Sequence, residues 1–210
     1  MADTLDAAAL ARWVGLCADR LEARSAELSQ LDAAIGDGDH GANMARGFRA
    51  VRERVLAEPG APDQLLKDTG MTLLSTVGGA SGPLFGTLFM RMAGALAGAT
   101  EVDLALLIRA LGEGVEGVRR RGRAEAGDKT MLDALLPALE SLRADGERGA
   151  ALGPALQAAA RAAEEGCRAT IPMVASRGRA SYLGERSLGH QDPGATSAAA
   201  VIAALAAVAA

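Results

Sequence analysis

Long stretches of this chain place small apolar residues at helical spacing, and only clusters of glycine break them. Residues 4–29 are the first such stretch, with Leu5, Ala9, Trp13, Leu16, Cys17, Leu21 and Leu28 on one face. Asp3 and Asp6 precede it, where acids favour the positive end of a helix dipole. Ala and Leu supply most of the apolar half of the sequence, and aromatic residues make up only 2%. Good helix formers in that excess, with so few β-branched and aromatic residues, specify an all-α protein of closely packed helices.

Further helices are predicted over 41–57, 62–77 and 82–98. Thr100 is read as the cap of a helix that runs to about Arg120, with Asp103 three residues on. Asp128 is read as the cap of one that runs to about Leu142, with Pro137 inside it as a source of a kink. Another covers 151–169, and the last starts near Ala195. Residues 171–194 are the least helical part. About eight helices, short connectors, no alternating strand and no internal repeat point to a single domain over residues 1–210. The closing run from Ala195 is apolar but shorter than the roughly 20 residues of a membrane span, and it reads as a buried helix. The first six residues lack the pattern of a signal peptide, so a soluble, cytoplasmic protein is expected. Cys17 and Cys167 have no metal-ligand spacing and read as buried thiols.

A net charge of −4 argues against a nucleic-acid binder. The local exception, Arg119-Arg-Arg-Gly-Arg123, reads as a solvated basic helix end.

Chemistry is concentrated in the glycine-rich breaks. Leu31-Asp-Ala-Ala-Ile-Gly-Asp-Gly-Asp-His-Gly41 holds Asp32, Asp37 and Asp39 within eight residues. Three carboxylates so close repel one another unless a cation neutralises them. Their hard oxygens suit Mg²⁺ or Ca²⁺. An EF-hand is excluded in either register: counting from Asp37, position 12 is Phe48, and counting from Asp32, position 3 is Ala34. Mg²⁺ with substrate phosphates fits better, against the plainer reading of an Asp/Gly turn between helices. His40 and His190, the two histidines, both fall in such breaks, and the Asn43 amide stands one turn into the next helix.

Gly78-Gly-Ala-Ser-Gly-Pro-Leu-Phe-Gly86 places glycines before a helix, where free N–H groups favour an anion, though a simple turn explains it equally well. It is not a Walker A loop. Gly127-Asp-Lys-Thr-Met131 is a third break. The fourth, 176–196, joins flexible backbone to Arg177, Arg179 and Arg186, which can bridge phosphate oxygens. An acidic metal loop, anion-binding helix starts and an arginine loop together meet the needs of phosphoryl transfer, where positioning and charge neutralisation dominate. No aromatic platform for a base is evident, so Leu84 and Met131 are the candidate aliphatic contacts.

These four motifs, in this order, resemble the nucleotide-binding domain of dihydroxyacetone kinases, most closely its free-standing ADP-binding form, from near residue 5 to the end. The resemblance implies an antiparallel eight-helix barrel with nucleotide bound at one end. It implies that Asp32, Asp37 and Asp39 hold two Mg²⁺ ions on the ADP or ATP phosphates. It implies nucleotide contacts from His40, Gly41, Ala42, Asn43, Ala80, Ser81, Gly122, Met131, Arg179, Asp192, Pro193 and Gly194. No side chain is assigned covalent catalysis. The implied partners are a dihydroxyacetone-binding kinase subunit and a phosphohistidine phosphoryl-donor protein of the phosphotransferase system. A transcription regulator and a second copy of the chain in a homodimer are further candidates. The length favours this form. The alternatives are the nucleotide subunit of an ATP-dependent kinase for dihydroxyacetone or another small ketose, and a nucleotide-loaded regulatory module.

Overall fold

The structure, a computed structural model, describes residues 4–209. Asp3 lies outside the described residues. Asp6 caps the first helix, α1 (Ala7–Ala23), by accepting from the Ala9 N–H at 2.7 Å. The predicted single helix over 4–29 is two: the chain turns at Arg24 and α2 runs Ser25–Ile35. Then follow α3 (His40–Arg54), α4 (Pro62–Thr76), α5 (Ser81–Ala95), α6 (Leu104–Gly122), α7 (Leu132–Glu147), α8 (Leu152–Ala169) and α9 (Pro193–Val208). A 3-10 helix, Arg179–Ser187, breaks the long loop before α9. One short antiparallel pairing, β1 (Leu5–Asp6) with β2 (Glu101–Val102), ties the start of α1 to the start of α6.

Two expected caps and one helix start shift. Asp103 rather than Thr100 caps α6, accepting from Leu106 at 2.8 Å, because β2 occupies the residues before it. The helix after Gly127 starts three residues later than expected, with Met131 rather than Asp128 at its cap. Asp133, from inside the first turn, accepts from Gly127 and Thr130 instead. Asp192 caps α9, accepting from Ala195 at 2.7 Å, so that helix starts two residues early.

Eight of the nine α-helices among the described residues close a ring. From α3 onward each packs on the next, α9 packs on α1, and α1 packs on α3. An even number of up-and-down helices lets the last lie antiparallel to the first. The expected barrel is therefore present, with α2 as an extra helix packed on α3, α9 and the 3-10 helix. Trp13, Phe48 and Phe89 fill the middle, with ring centroids 5.5 and 6.2 Å apart, and the Trp13 indole donates to the Val201 carbonyl.

Small residues let the helices touch. A Cβ on Gly70 would lie 2.7 Å from the Gly86 carbonyl and one on Gly86 would lie 2.9 Å from the Gly70 carbonyl, so α4 and α5 meet backbone to backbone. Pro137 has no N–H for the Asp133 carbonyl one turn back. Gly166 of α8 packs against that freed carbonyl, where a Cβ would lie 2.0 Å away. Cys17 and Cys167 are buried free thiols, as expected. No helix of the described residues is long and apolar enough to cross a membrane.

Candidate functional site

The alternation of the ring brings the N-termini of α3, α5, α7 and α9 and the C-terminus of α6 to one end, around a cavity of about 830 Å³. Asp32 comes from the last turn of α2, and Asp37 and Asp39 from the loop that follows. Each carboxylate offers an oxygen within 4.8 Å of the others'. Asp32 also accepts from the His40 N–H at 3.2 Å, which fixes the loop against the start of α3.

Ala80 stands at the start of α5 with no side-chain cap, so the N–H groups of that first turn are free for an anion. Ser81 beside it is held by His40, whose Nδ1 lies 3.0 Å from the Ser81 hydroxyl and whose Nε2 lies 2.8 Å from that of Ser197. Burial holds the imidazole below the ordinary histidine range, against the pull of Asp32 and Asp39. Both ring nitrogens being engaged, His40 is a joint between α3, α5 and α9.

Of the sequence-derived contacts, His40, Ala80, Ser81, Gly122, Met131, Arg179, Asp192, Pro193 and Gly194 all line the cavity, with Asp32, Asp37 and Asp39. Leu84, the aliphatic candidate beside Met131, does too. Gly41, Ala42 and Asn43 do not. Gly41 packs on α2, where a Cβ would lie 1.9 Å from the Ser25 carbonyl. Ala42 is exposed. The Asn43 amide lies under Gly78 and accepts from Arg46 at 2.5 Å. Arg186 and His190 stay outside the lining and are exposed.

A family model described as the DAK2 domain matches residues 34–207, which include most of the cavity lining. The chain belongs to the DAK2 domain family. It is 50% identical over 192 residues to the ADP-binding subunit DhaL of the PEP-dependent dihydroxyacetone kinase of Escherichia coli (strain K12), covering 90% of each chain. It is 40% identical over 188 residues to the ADP-binding subunit DhaL of a PTS-dependent dihydroxyacetone kinase of Lactococcus lactis, covering 89% of this chain and 90% of that one. Among solved structures it is similar to the dihydroxyacetone kinase of C. freundii in complex with AMP-PNP and Mg²⁺. There the TM-score is 0.71 and the identity 32%, over 95% of this chain and 34% of that chain.

This DAK2 domain also lines its cavity with residues the motif reading left out. Arg121 hides in the basic run read as a solvated helix end. Arg119 and Arg120 of that run do pair with Glu125 and Glu116, while Arg121 lines the cavity. Arg177, a phosphate candidate from the sequence, also lines the cavity, and its Nε donates to the Arg123 carbonyl at 2.6 Å. Lys129, 1% exposed, has its ammonium among the carbonyls of Thr170, Met173 and Ser187. A signal for it did exist: lysine in a glycine-rich break next to two lining residues, Thr130 and Met131. Asp192 is buried, and burial lifts its carboxyl to about 7 despite the Ala195 N–H bond and the nearby Lys129 charge.

The arginine loop is fastened to the acidic loop as well. Ile35 of α2 packs with Ala175, Ala180 and Leu183 in a small second core, and Arg179 Nη2 lies 3.0 Å from Asp37 Oδ2. Three carboxylates, free helix-start N–H groups and arginines thus face one space. That donor set fits a polyphosphate carried with a hard divalent cation.

Proposed function

We propose that this chain, as one domain over residues 1–210, is the nucleotide-holding subunit of a dihydroxyacetone kinase. In this reading Mg-ADP stays bound as a coenzyme, accepts a phosphoryl group from a phosphohistidine protein and passes it to dihydroxyacetone on a partner subunit. The product is dihydroxyacetone phosphate. The observation that carries it is the convergence of Asp32, Asp37 and Asp39 at a cavity that also holds the free start of α5 and Arg179. The near full-length likeness to ADP-binding subunits of PEP- and PTS-dependent kinases supports this form over the longer kinases, of which the chain spans about a third.

Asp32, Asp37 and Asp39 would hold two Mg²⁺ ions, which when bound neutralise phosphate oxygens and orient them for in-line transfer. The chain's own groups do the rest. The α5 N-terminus donates N–H groups to phosphate oxygens, and Ser81 adds a hydroxyl whose direction His40 sets. Arg179 offers a planar donor fork to the same charge, and Arg177, held by the Arg123 and Ser176 carbonyls, adds positive charge beside it. Leu84, Gly122 and Met131 form the apolar wall for the base, and Asp192-Pro193-Gly194 close the floor. The transferred group stays between nucleotide and partners, because both nitrogens of His40 are already engaged.

The partners are therefore a subunit that holds dihydroxyacetone and a phosphohistidine donor protein, all in the cytoplasm. A homodimer and binding of a transcription regulator belong to the same proposal as lesser parts. Native mass spectrometry of the purified chain should show retained ADP with Mg²⁺. Reconstitution with the two partners should yield dihydroxyacetone phosphate without free ATP. If free ATP supports turnover with the substrate subunit and the phosphohistidine donor does not, an ATP-dependent kinase for dihydroxyacetone or another small ketose replaces this reading. A chain that neither retains nor binds Mg-ADP sinks both.

A further inference from the structure

Lys129 is buried, yet among the described residues no carboxylate lies within ion-pair distance of it, Asp192 being near enough only to feel its charge. Its ammonium has three N–H donors, and three carbonyls take them: Thr170 at 2.9 Å, Met173 at 3.0 Å and Ser187 at 2.7 Å. Burying an ammonium costs heavily unless every donor is satisfied, so this arrangement is tightly specified. The acceptors are chosen by the fold. Thr170 ends α8 and Ser187 ends the 3-10 helix, where helix carbonyls lack partners and carry partial negative charge.

The backbone of Lys129 adds a second mark. Its φ is +61°, in the left-handed region that a long side chain rarely adopts. Such a conformation persists where the surroundings over-determine it. Here they do, since Asp133 holds Gly127 and Thr130 on either side of it.

The three carbonyls span the segment that carries Arg177 and Arg179. Thr170 also accepts, through its hydroxyl, from the Asp192 N–H at 3.0 Å. One side chain thus joins the break at 127–131 to both ends of the arginine loop and to the start of α9.

We propose that Lys129 is a positioning residue of the nucleotide site, which through its three carbonyl bonds holds the 170–187 loop so that Arg179 faces Asp37 and the phosphates. This rests on the nucleotide-holding reading above. All three N–H donors of Lys129 are taken by carbonyls, so it acts through Arg179 rather than on a phosphate.

Because Lys129 acts through Arg179, the two should not be additive, and that separates positioning from a merely structural role. Mg-ADP binding to the purified full chain is measured by calorimetry for wild type, Lys129→Met, Arg179→Ala and the double variant. Each single change is expected to weaken binding about tenfold or more, and the double variant to lie within about threefold of Arg179→Ala alone. Hydrogen exchange should speed up in 171–188 and stay unchanged in the ring helices. Should Lys129→Met fail to fold, Lys129→Gln, which keeps two N–H donors without the charge, takes its place in the cycle. Wild-type affinity in the lysine variant, fully multiplicative effects, or unfolding of both lysine variants overturns the proposal. Absent binding in wild type would instead strike the nucleotide reading, and the exchange pattern would still decide whether Lys129 holds the loop.

Discussion

Arg179 Nη2 stands 3.0 Å from Asp37 Oδ2, so the arginine loop and the acidic loop meet at the cavity although 142 positions of sequence (179 − 37) separate the two residues. The arginine is 68% exposed at its side chain, so this ion pair adds well under about 1 kcal/mol to stability. Its value lies in aiming a guanidinium at the phosphate space. Arg179→Ala should therefore leave the melting temperature within about 2 °C of wild type and weaken Mg-ADP binding about tenfold or more. Calorimetry beside a thermal melt checks both halves. A large loss of stability with unchanged affinity would reverse the interpretation.

Asp37→Ala removes one of the three converging carboxylates. Hard divalent cations depend on such oxygens, so Mg-dependent ADP binding should fall by about a hundredfold or more. The far-UV helical signal should survive, because Asp37 lies in a loop and caps no helix. Without metal the variant should be no less stable than wild type, since one source of carboxylate repulsion is gone. Titration with Mg²⁺ and ADP, with and without chelator, tests this.

How much of this was legible beforehand depends on how far apart the interacting groups lie in the chain. Asp32, Asp37 and Asp39 sit within eight residues, so their convergence could be read locally. The helices were legible from Ala/Leu periodicity, and the barrel from the family likeness. The turn at Arg24 was not, because no glycine or proline marks it and Leu28 keeps the apolar period into α2. Lys129 stood in a glycine-rich break, but its role could not be read, because its acceptors lie 41 to 58 residues away and are backbone carbonyls, which leave no trace in residue identity. The side chain of Asn43 could not be placed for a related reason: one turn into α3 it can face either the cavity or Gly78, and only the packing of α3 on α4 decides.

His40 offers a prediction about stability rather than binding. Its imidazole joins Ser81 and Ser197, both on other helices, at 3.0 and 2.8 Å. His40→Ala leaves those hydroxyls without that partner and opens a hole in a buried position. The expected loss is about 2–3 kcal/mol, or roughly 4–12 °C in melting temperature for a chain of this size. Thermal unfolding of metal-free protein measures it directly. A melting temperature equal to wild type would mean that the joint contributes nothing.

Gly166→Ala tests the meeting of α7 and α8. The added methyl would lie 2.0 Å from the Asp133 carbonyl, and that atom is backbone, which cannot swing away. The helices must part, at a cost of about 1–3 kcal/mol. Since Asp133 also holds Gly127 and Thr130, the shift should carry to the break that lines the cavity and weaken Mg-ADP binding as well. Urea unfolding and calorimetry on the same preparation would show the two losses together. A stable variant would mean that the close approach is slack.

Asp192 gives a pH dependence whose sign can be worked out. Burial raises its carboxyl from 3.8 to about 7, so the folded state holds this proton more tightly than the unfolded chain. The stability from that difference is fully present below about pH 4 and is lost as pH rises to about 7. Linkage sets an upper bound of about 4 kcal/mol for the loss. Asp192→Asn cannot ionise, while its side-chain oxygen can still accept the Ala195 N–H that begins α9. The variant's melting temperature relative to wild type should therefore climb between pH 4 and pH 7 and level off above. The measurement needs chelated, nucleotide-free protein, because bound cations would favour the ionised carboxylate and hide the effect. Parallel pH profiles for the two proteins would show that Asp192 ionises normally in its buried place, with the Lys129 charge and the α9 N–H groups fully offsetting its burial.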